Sequence, residues 1–401
     1  MSKTHFSEES VGFSPTLAME EAARCLLCHD APCSKACPAM TDPAKFIRSI
    51  RFKNTKGAAH TIRINNPLGG ICARVCPTEK YCQLGCSRSG IDRPIEIAKL
   101  QRFATDVEAC LGMEFQERKE NNGRRVAIIG SGPAGLTAAA MLAREGTEVD
   151  LYERKPKLGG YLRYGIPSYR LSEDVLDKEI SHILKLGVNP IVNNEVKSIK
   201  ELEGKYDAVI VAIGYSAGKM LPLFEGNKRA MTAVDFLAKA KRKGYRVKDN
   251  VLVIGGGDVA MDAATTSKKL GAKQVTVIAY ETNEEFRASR DELALTREMK
   301  ASIYDGFVPT KVLRGGTVIF EHRYVPTSIK IKADQIILAV GQEIDYGSLE
   351  LEKGKAEFIH QKGSKVYYAG DIAPLDKTVV YAVRKGKDVA NEVLKDLEAK
   401  R

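Results

Sequence analysis

The chain has 401 residues, 44% of them hydrophobic and 28% charged, with a formal net charge of +11. That length supports two or three globular domains, each with a core of its own. The basic excess, including the run KAKRKGYR from Lys239 to Arg246, is scattered and lacks interleaved aromatics, so nucleic-acid binding is not expected.

The opening MSKTHFSEES has no apolar segment and no small-residue cleavage pattern, which argues against a secretory leader. A reducing, cytoplasmic setting is expected, and it disfavours structural disulfides among the nine cysteines. Residues 1 to about 120 hold every cysteine and read as helical. TLAMEEAARCLL has helical periodicity, Asp42 caps a segment with Pro43 at its first position, and Pro94 opens a long helix that Gly112 closes.

The cysteine spacing is Cys25-x2-Cys28-x4-Cys33-x3-Cys37-Pro, then Cys76-Pro-x4-Cys82-x3-Cys86. Structural zinc usually takes two well-separated pairs, whereas here four thiols crowd one short stretch that ends in Cys-Pro. Ferredoxin-like runs end the same way, and their last cysteine serves the other cluster of a pair. Two interleaved [4Fe-4S] clusters are therefore expected. They need eight ligands and the two runs supply seven. Cys72, four residues before Cys76, is the candidate for the eighth, while Cys110 is read as a small buried apolar residue on the helix that Pro94 opens.

After the polar linker ERKENNGRR (117–125), β-branched runs alternate with amphipathic helices, the pattern of a doubly wound sheet. The uncharged window Val126 to Ala143 is long enough to suggest a membrane span, but Gly130, Gly132, Pro133 and Gly135 break it into strand, turn and helix. Gly130-x-Gly132-x-x-Gly135 is a dinucleotide fingerprint. Its glycines allow a tight turn, approach of the backbone to a pyrophosphate, and close packing of helix on strand. Glu153, closing the next strand VDLYE, is placed to bind a ribose.

A second fingerprint, Gly255-x-Gly257-x-x-Ala260, follows another β-branched strand, and its ribose position reads Tyr280-Glu281. An acid there favours NAD over NADP. Arg287 and Arg290 are read as surface charge, with reach toward a 2′-phosphate as the alternative. The late strands ADQIILAVGQ and KVYYAGDIA suggest that the second unit is inserted into the first. No Cys-x-x-Cys lies beside either fingerprint, which disfavours a thioredoxin-reductase-like disulfide relay, and the six scattered histidines give no basis for a catalytic triad.

RCLLCHDAPCSKACP, ICARVCPTEKYCQLGC, IEIAKLQRF, GSGPAG, GGYLRYGIPSYRL, GGGDVAMD and AGDIAPLDKTVVYAV resemble the flavin and iron-sulfur subunits of bacterial NAD-dependent dihydropyrimidine dehydrogenases. The resemblance covers essentially the whole chain, and extends to the N-terminal half of eukaryotic dihydropyrimidine dehydrogenase and to glutamate synthase small subunits. It implies an α/β protein: a helical two-cluster domain over 1–120, a discontinuous FAD domain over 124–215 and 334–401, and an NAD domain over 216–333 nested in it.

It further implies one cluster on Cys25, Cys28, Cys33 and Cys86, and a second on Cys37, Cys76, Cys82 and Gln101, leaving Cys72 a bystander. The implied FAD site comprises Gly130, Gly132, Pro133, Ala134, Gly135, Glu153, Gly159, Gly160, Arg170, Val196, Gly370, Asp371 and Thr378. The implied NAD site comprises Gly255, Gly257, Asp258, Val259, Glu281, Arg287 and the turn from Ala339 to Gly341.

With these regions assigned, no room is left for a (β/α)8 barrel of about 250 residues to reduce a pyrimidine. By resemblance that chemistry belongs to an FMN and iron-sulfur partner subunit, which interconverts uracil or thymine and the 5,6-dihydro forms at the expense of NADH. Rival readings are an input subunit for another acceptor, such as glutamate synthase or a ferredoxin-linked oxidoreductase, and a non-catalytic redox sensor or scaffold. No membrane partner is expected. Glu281 makes one outcome explicit: kcat/KM is expected to be higher with NADH than with NADPH in steady-state kinetics, and a preference for NADPH would overturn that reading.

Overall fold

In the computed structural model, residues 8, 11–115, 117–345, 349, 363–372 and 376–399 are described. The N-terminal stretch read as lacking a leader thus lies almost wholly outside them, as do residues 373–375 of AGDIAPLDKTVVYAV. Two compact units separate: Tyr215–Asp345 forms the body of one, with Tyr164–Ser168, while the other contains Ser7–Arg163, Tyr169–Gly214 and the chain after 345. Among the described residues no helix is long and apolar enough to cross a membrane.

The larger unit begins with short helices whose ends are set by side-chain caps. Ser14 accepts from Leu17 N ahead of Pro15–Ala23, and Asp42 accepts from Lys45 N ahead of Pro43–Arg51. Asn54 accepts from Gly57 N and starts Thr55–Asn65. The long helix runs Ile97–Leu111 and stops at Gly112, which takes the left-handed conformation. It starts three residues later than Pro94 suggests because Glu96 N–H donates to Glu21 of the first helix, at 2.8 Å, instead of entering a helical turn. Phe46, Ile47, Ile50, Ile62, Leu100 and Phe103 form the core between these helices.

Strand Arg125–Ile129 lies at the centre of an all-parallel five-stranded sheet, flanked on one side by Glu148–Tyr152 and Asn189–Ile191 and on the other by Ala208–Val211 and Val366–Tyr368. The C-terminal helix Val379–Glu398 packs on the helix Pro133–Arg144, and the approach is so close that a Cβ on Gly386 would sit 2.5 Å from Ala134 O. The smaller unit repeats the plan around Asn250–Ile254, with Gln274–Ile278 and Ser302–Tyr304 on one side and Gln335–Leu338 and Ala230–Thr232 on the other. An antiparallel meander, Phe307–Val312, Thr317–His322 and Ser328–Lys332, completes it.

The boundary expected at 333/334 is corrected. Gln335–Leu338 pairs in register with Val251–Ile254, so it belongs to the second sheet, and the inserted unit runs to Asp345. The strand is buried throughout, and a buried parallel strand carries no face pattern to say which sheet it joins. Ala217–Gly218 pairs antiparallel with Gln342–Glu343, tying together the two ends of the insertion.

Within the larger unit, the helical region and the first sheet are joined by a buried charge network. Arg63 donates to Glu108 at 2.7–2.8 Å, to Pro67 O at 3.0 Å and to Glu179, while Glu179 also accepts the amides of Gly70 and Ile71. All three side chains are at most 5% exposed. Burial works against the Arg63 charge, but Glu179 and Glu108 hold its pKa above the usual value; burial lifts Glu108 above the ordinary carboxylate range against the pull of Arg63. Arg63→Met strands two carboxylates in the interior and is expected to cost about 3–5 kcal/mol, read as a lower urea midpoint of the holoprotein.

Candidate functional site

All nine cysteines are unpaired. Cys25, Cys28, Cys33 and Cys86 line one cavity whose walls include Pro32, Ile47, Ile95 and Ile97. Among the described residues, no three His, Cys, Asp or Glu side chains converge closely enough to hold a single metal ion. A cavity ringed by four thiols and apolar walls instead suits a cluster, whose irons lie between the sulfurs. Cys86 reaches the first stretch because Gly85 has no side chain: a Cβ there would lie 3.0 Å from Ala36 Cβ and 3.1 Å from Pro32 O.

Cys37, Cys76 and Cys82 form a second group: burial raises the Cys76 and Cys82 thiols, and the neighbouring Cys37 charge adds to both shifts. Burial pushes Cys33 up to about 11 and raises Cys76 well above its ordinary value, so these sulfurs keep their protons unless iron replaces them. The Cys37 sulfur accepts from Thr41 N at 3.5 Å. Gln101 is 7% exposed, and its Nε2 donates to Gly69 O at 2.7 Å. That bond fixes which amide atom faces Gly69. Cys72 is buried beside this group, with its pKa raised by burial to about 12. Cys110 is exposed, which corrects the expectation of a buried apolar residue: it falls in the last turn of its helix, off the face that carries Gln101, Ala104, Thr105 and Glu108 inward.

The first glycine turn fits an anionic ligand. Gly130 has φ 103°, and a Cβ on it would lie 2.5 Å from Ala212 O; one on Gly135 would lie 2.0 Å from Gly130 O. Gly132, at the N-cap of Pro133–Arg144, meets nothing within 4 Å, leaving open space where the helix presents its free amides. Ala134 is buried, and Gly160 abuts Gly132. Gly159 N donates to Ser131, and the Glu153 carboxylate accepts from Ser131 and from Lys155 N at 2.9 Å. A Cβ on Gly370 would lie 3.1 Å from Ala134 Cβ, Thr378 stands at the N-cap position of the C-terminal helix without a side-chain capping bond, Val196 is buried, and Arg170 is half-buried. Burial raises the Asp371 carboxyl, which Lys385 and Lys377 pull back.

The second turn repeats the first. Gly255 has φ 142° with Ala339 O 2.4 Å from its would-be Cβ, Gly257 opens onto free space, and Gly341 has φ 114°. Asp258 begins the helix Asp258–Lys269, beside half-buried Val259, and accepts from Ser289 N at 2.6 Å. Glu281 lies over Gly256, where any Cβ would meet its carboxylate at 2.6 Å. Arg287 is 82% exposed and lies 3.8 Å from Glu281, and Arg290 opens the helix Arg290–Glu298.

Three residues passed over in the sequence enter these sites. Tyr81, next to Cys82, donates to Asp376 at 2.7 Å and lies 3.4 Å from the Thr378 hydroxyl. Arg323 reaches from the meander to stack on Tyr280 at 3.8 Å, beside Glu281. Lys387 is buried and bound to the loop after Cys37. Aromatic and basic residues of this kind carry no signal until the partner segment is known.

Residues 2–112 match the family model "dihydropyrimidine dehydrogenase domain II, 4Fe-4S cluster", and residues 124–386 match "pyridine nucleotide-disulphide oxidoreductase". The chain is 48% identical to the NAD-dependent dihydropyrimidine dehydrogenase subunit PreT of Escherichia coli O157:H7, covering 99% of this chain and 98% of that one. The chain belongs to the PreT family. A PreT subunit of Salmonella typhimurium is equally similar, at 48% identity and the same coverage. PreT-family membership makes the chain an oxidoreductase subunit, and the matched domains give it iron-sulfur, FAD and NAD(H) as cofactors.

The fold of this PreT-family chain is shared with T. acidophilum thioredoxin reductase, at TM-score 0.56 and 20% identity over 68% of this chain and 99% of the other. It is also shared with 2-naphthoyl-CoA reductase, at TM-score 0.56 and 18% identity over 88% and 52%. Gly135→Val is expected to abolish flavin retention, because its side chain would overlap Gly130 O; the flavin absorbance of the purified variant checks this.

Proposed function

We propose that this chain is the electron-input subunit of a pyrimidine reductase: it oxidises NADH and delivers single electrons to an FMN and iron-sulfur partner that interconverts uracil or thymine and the 5,6-dihydropyrimidines. Bound in these sites, NADH, FAD and two [4Fe-4S] clusters supply hydride transfer, conversion of an electron pair to single electrons, and single-electron relay. The residues of the chain bind, orient and exclude water, and no side-chain acid or base is assigned.

One cluster is held by Cys25, Cys28, Cys33 and Cys86, the other by Cys37, Cys76, Cys82 and Gln101. The observation that carries the reading is Tyr81, which hydrogen-bonds to Asp376 beside Thr378 of the FAD site while its chain neighbour Cys82 belongs to the second cluster. Through this contact the Cys37 set, rather than the Cys25 set, would lie next to the flavin site. Glu281 holds the ribose hydroxyls of NADH, and Arg323 with Tyr280 forms a stacking platform beside it. The unpaired thiols suit a reducing cytoplasm.

Co-purification of the chain with its partner, followed by an assay for uracil-dependent NADH oxidation, tests the reaction. Dye reduction by NADH without any pyrimidine activity in the complex would redirect the reading to another acceptor, and an inert holoprotein would reject it. For the ligand set, Gln101→Ala is expected to alter the EPR signal of one reduced cluster, and Cys72→Ser to leave both signals unchanged. A change in the Cys72 variant alone would reject the assignment.

A further inference from the structure

Lys387 is 7% exposed and sits midway along the helix Val379–Glu398. Its Nζ donates to two backbone carbonyls, Ala39 O at 2.9 Å and Asn65 O at 2.8 Å, and, among the described residues, to no carboxylate. A buried ammonium without a paired acid is costly, and lysines so deeply placed are usually matched by an anion. Arg384, one turn earlier on the helix, is already neutralised by Asp388 through two bonds of 2.8 Å. Burial lowers the Lys387 pKa from its ordinary value; of the neighbouring charges, Arg384 and Arg144 oppose the ammonium, and Cys37 and Asp388 favour it. With Asp388 spent on Arg384, Cys37 is the anionic site left facing the ammonium.

Ala39, fully buried, follows Cys37 by two residues. The same loop carries Thr41, whose amide donates to the Cys37 sulfur and whose hydroxyl accepts from Asn66 at 3.3 Å. Lys387 thus fixes this loop by its hydrogen bonds and sets a positive charge behind it. A cluster held by three thiolates and a neutral glutamine carries net negative charge, which grows by one unit on reduction. In an interior of low dielectric, a nearby fixed cation favours the more negative state, and net charge is among the determinants of cluster potential.

We infer that Lys387 is the counter-charge that raises the reduction potential of the cluster at Cys37, Cys76, Cys82 and Gln101, and so draws electrons from the flavin toward it. Lys387 is a positioning and tuning residue and touches no reacting atom. One electron enters the cluster from reduced flavin, Lys387 keeps its proton throughout, and no bond at Lys387 is made or broken. The inference rests on the ligand set proposed above.

The test is an EPR-monitored redox titration of the holoprotein, with iron and acid-labile sulfide measured first. Lys387→Gln keeps a donor for Ala39 O and removes the charge; Lys387→Arg keeps both. The glutamine variant is expected to show about a tenfold lower reduced-to-oxidised ratio of the Cys37 cluster at a given potential, about 59 mV for a one-electron couple. The Cys25 cluster serves as the internal reference and is expected to stay within threefold of its wild-type ratio, as is the Cys37 cluster of the arginine variant. A fully loaded Lys387→Gln protein that titrates like wild type overturns the inference. So does loss of the Cys37 cluster from both variants, which would make Lys387 a structural clamp. Failure of the ligand set is distinguishable, because Cys37→Ser and Gln101→Ala would then leave both EPR signals of otherwise wild-type protein unaltered.

Discussion

One guanidinium shared between two carboxylates holds the cofactor-bearing part of this protein together. Arg63 comes from the helical region, Glu108 from the helix that presents Gln101, and Glu179 from the helix Glu173–Leu184 of the first sheet domain. Glu179 in turn accepts the second and third amides of the helix Gly69–Val75, which leads into Cys76. A buried triad of this kind gives little net stability compared with an apolar replacement, but its hydrogen-bond geometry permits few alternative arrangements. Three separate segments are fixed at one point, and both the cysteine-bearing helix and the glutamine-bearing helix take their positions from it.

Much of this organisation was legible in the chain itself. Gly130, Gly132 and Gly135, like Gly255 and Gly257, announce their turns because backbone contact leaves no alternative to glycine at Gly130, Gly135 and Gly255. The cysteine spacing foretold crowding, since thiols three to five residues apart with a following proline have few other uses. The end of the inserted unit was not legible, because Gln335–Leu338 is buried on both faces and reads alike in either sheet. Nor was the exposure of Cys110, which turns on where the last helical turn leaves the apolar face. Tyr81, Arg323 and Lys387 were silent for a different reason: each acts through a segment distant in the chain.

The two parallel sheets show how one plan can be assembled from different orders of chain. In both, the strand before the glycine turn is central and the next two strands in sequence extend one side. The other side of the first sheet is filled by later strands, whereas the edge of the second is supplied by Ala230–Thr232, which precedes its glycine turn. Placing the turn of each unit at the carboxyl end of a central strand leaves a crevice there, where doubly wound sheets bind their ligands. The repetition explains why the Gly-x-Gly spacing appears twice, each time with a glutamate just after the next strand, Glu153 in one unit and Glu281 in the other.

The C-terminal helix has a consequence for biogenesis. It meets Ala134 through Gly386, and its Lys387 holds Ala39, 348 residues upstream. While a ribosome is still translating the inserted unit, the loop behind Cys37 and the outer wall of the first glycine turn have no cover. Closure of that loop and of that wall therefore waits until this helix has been made.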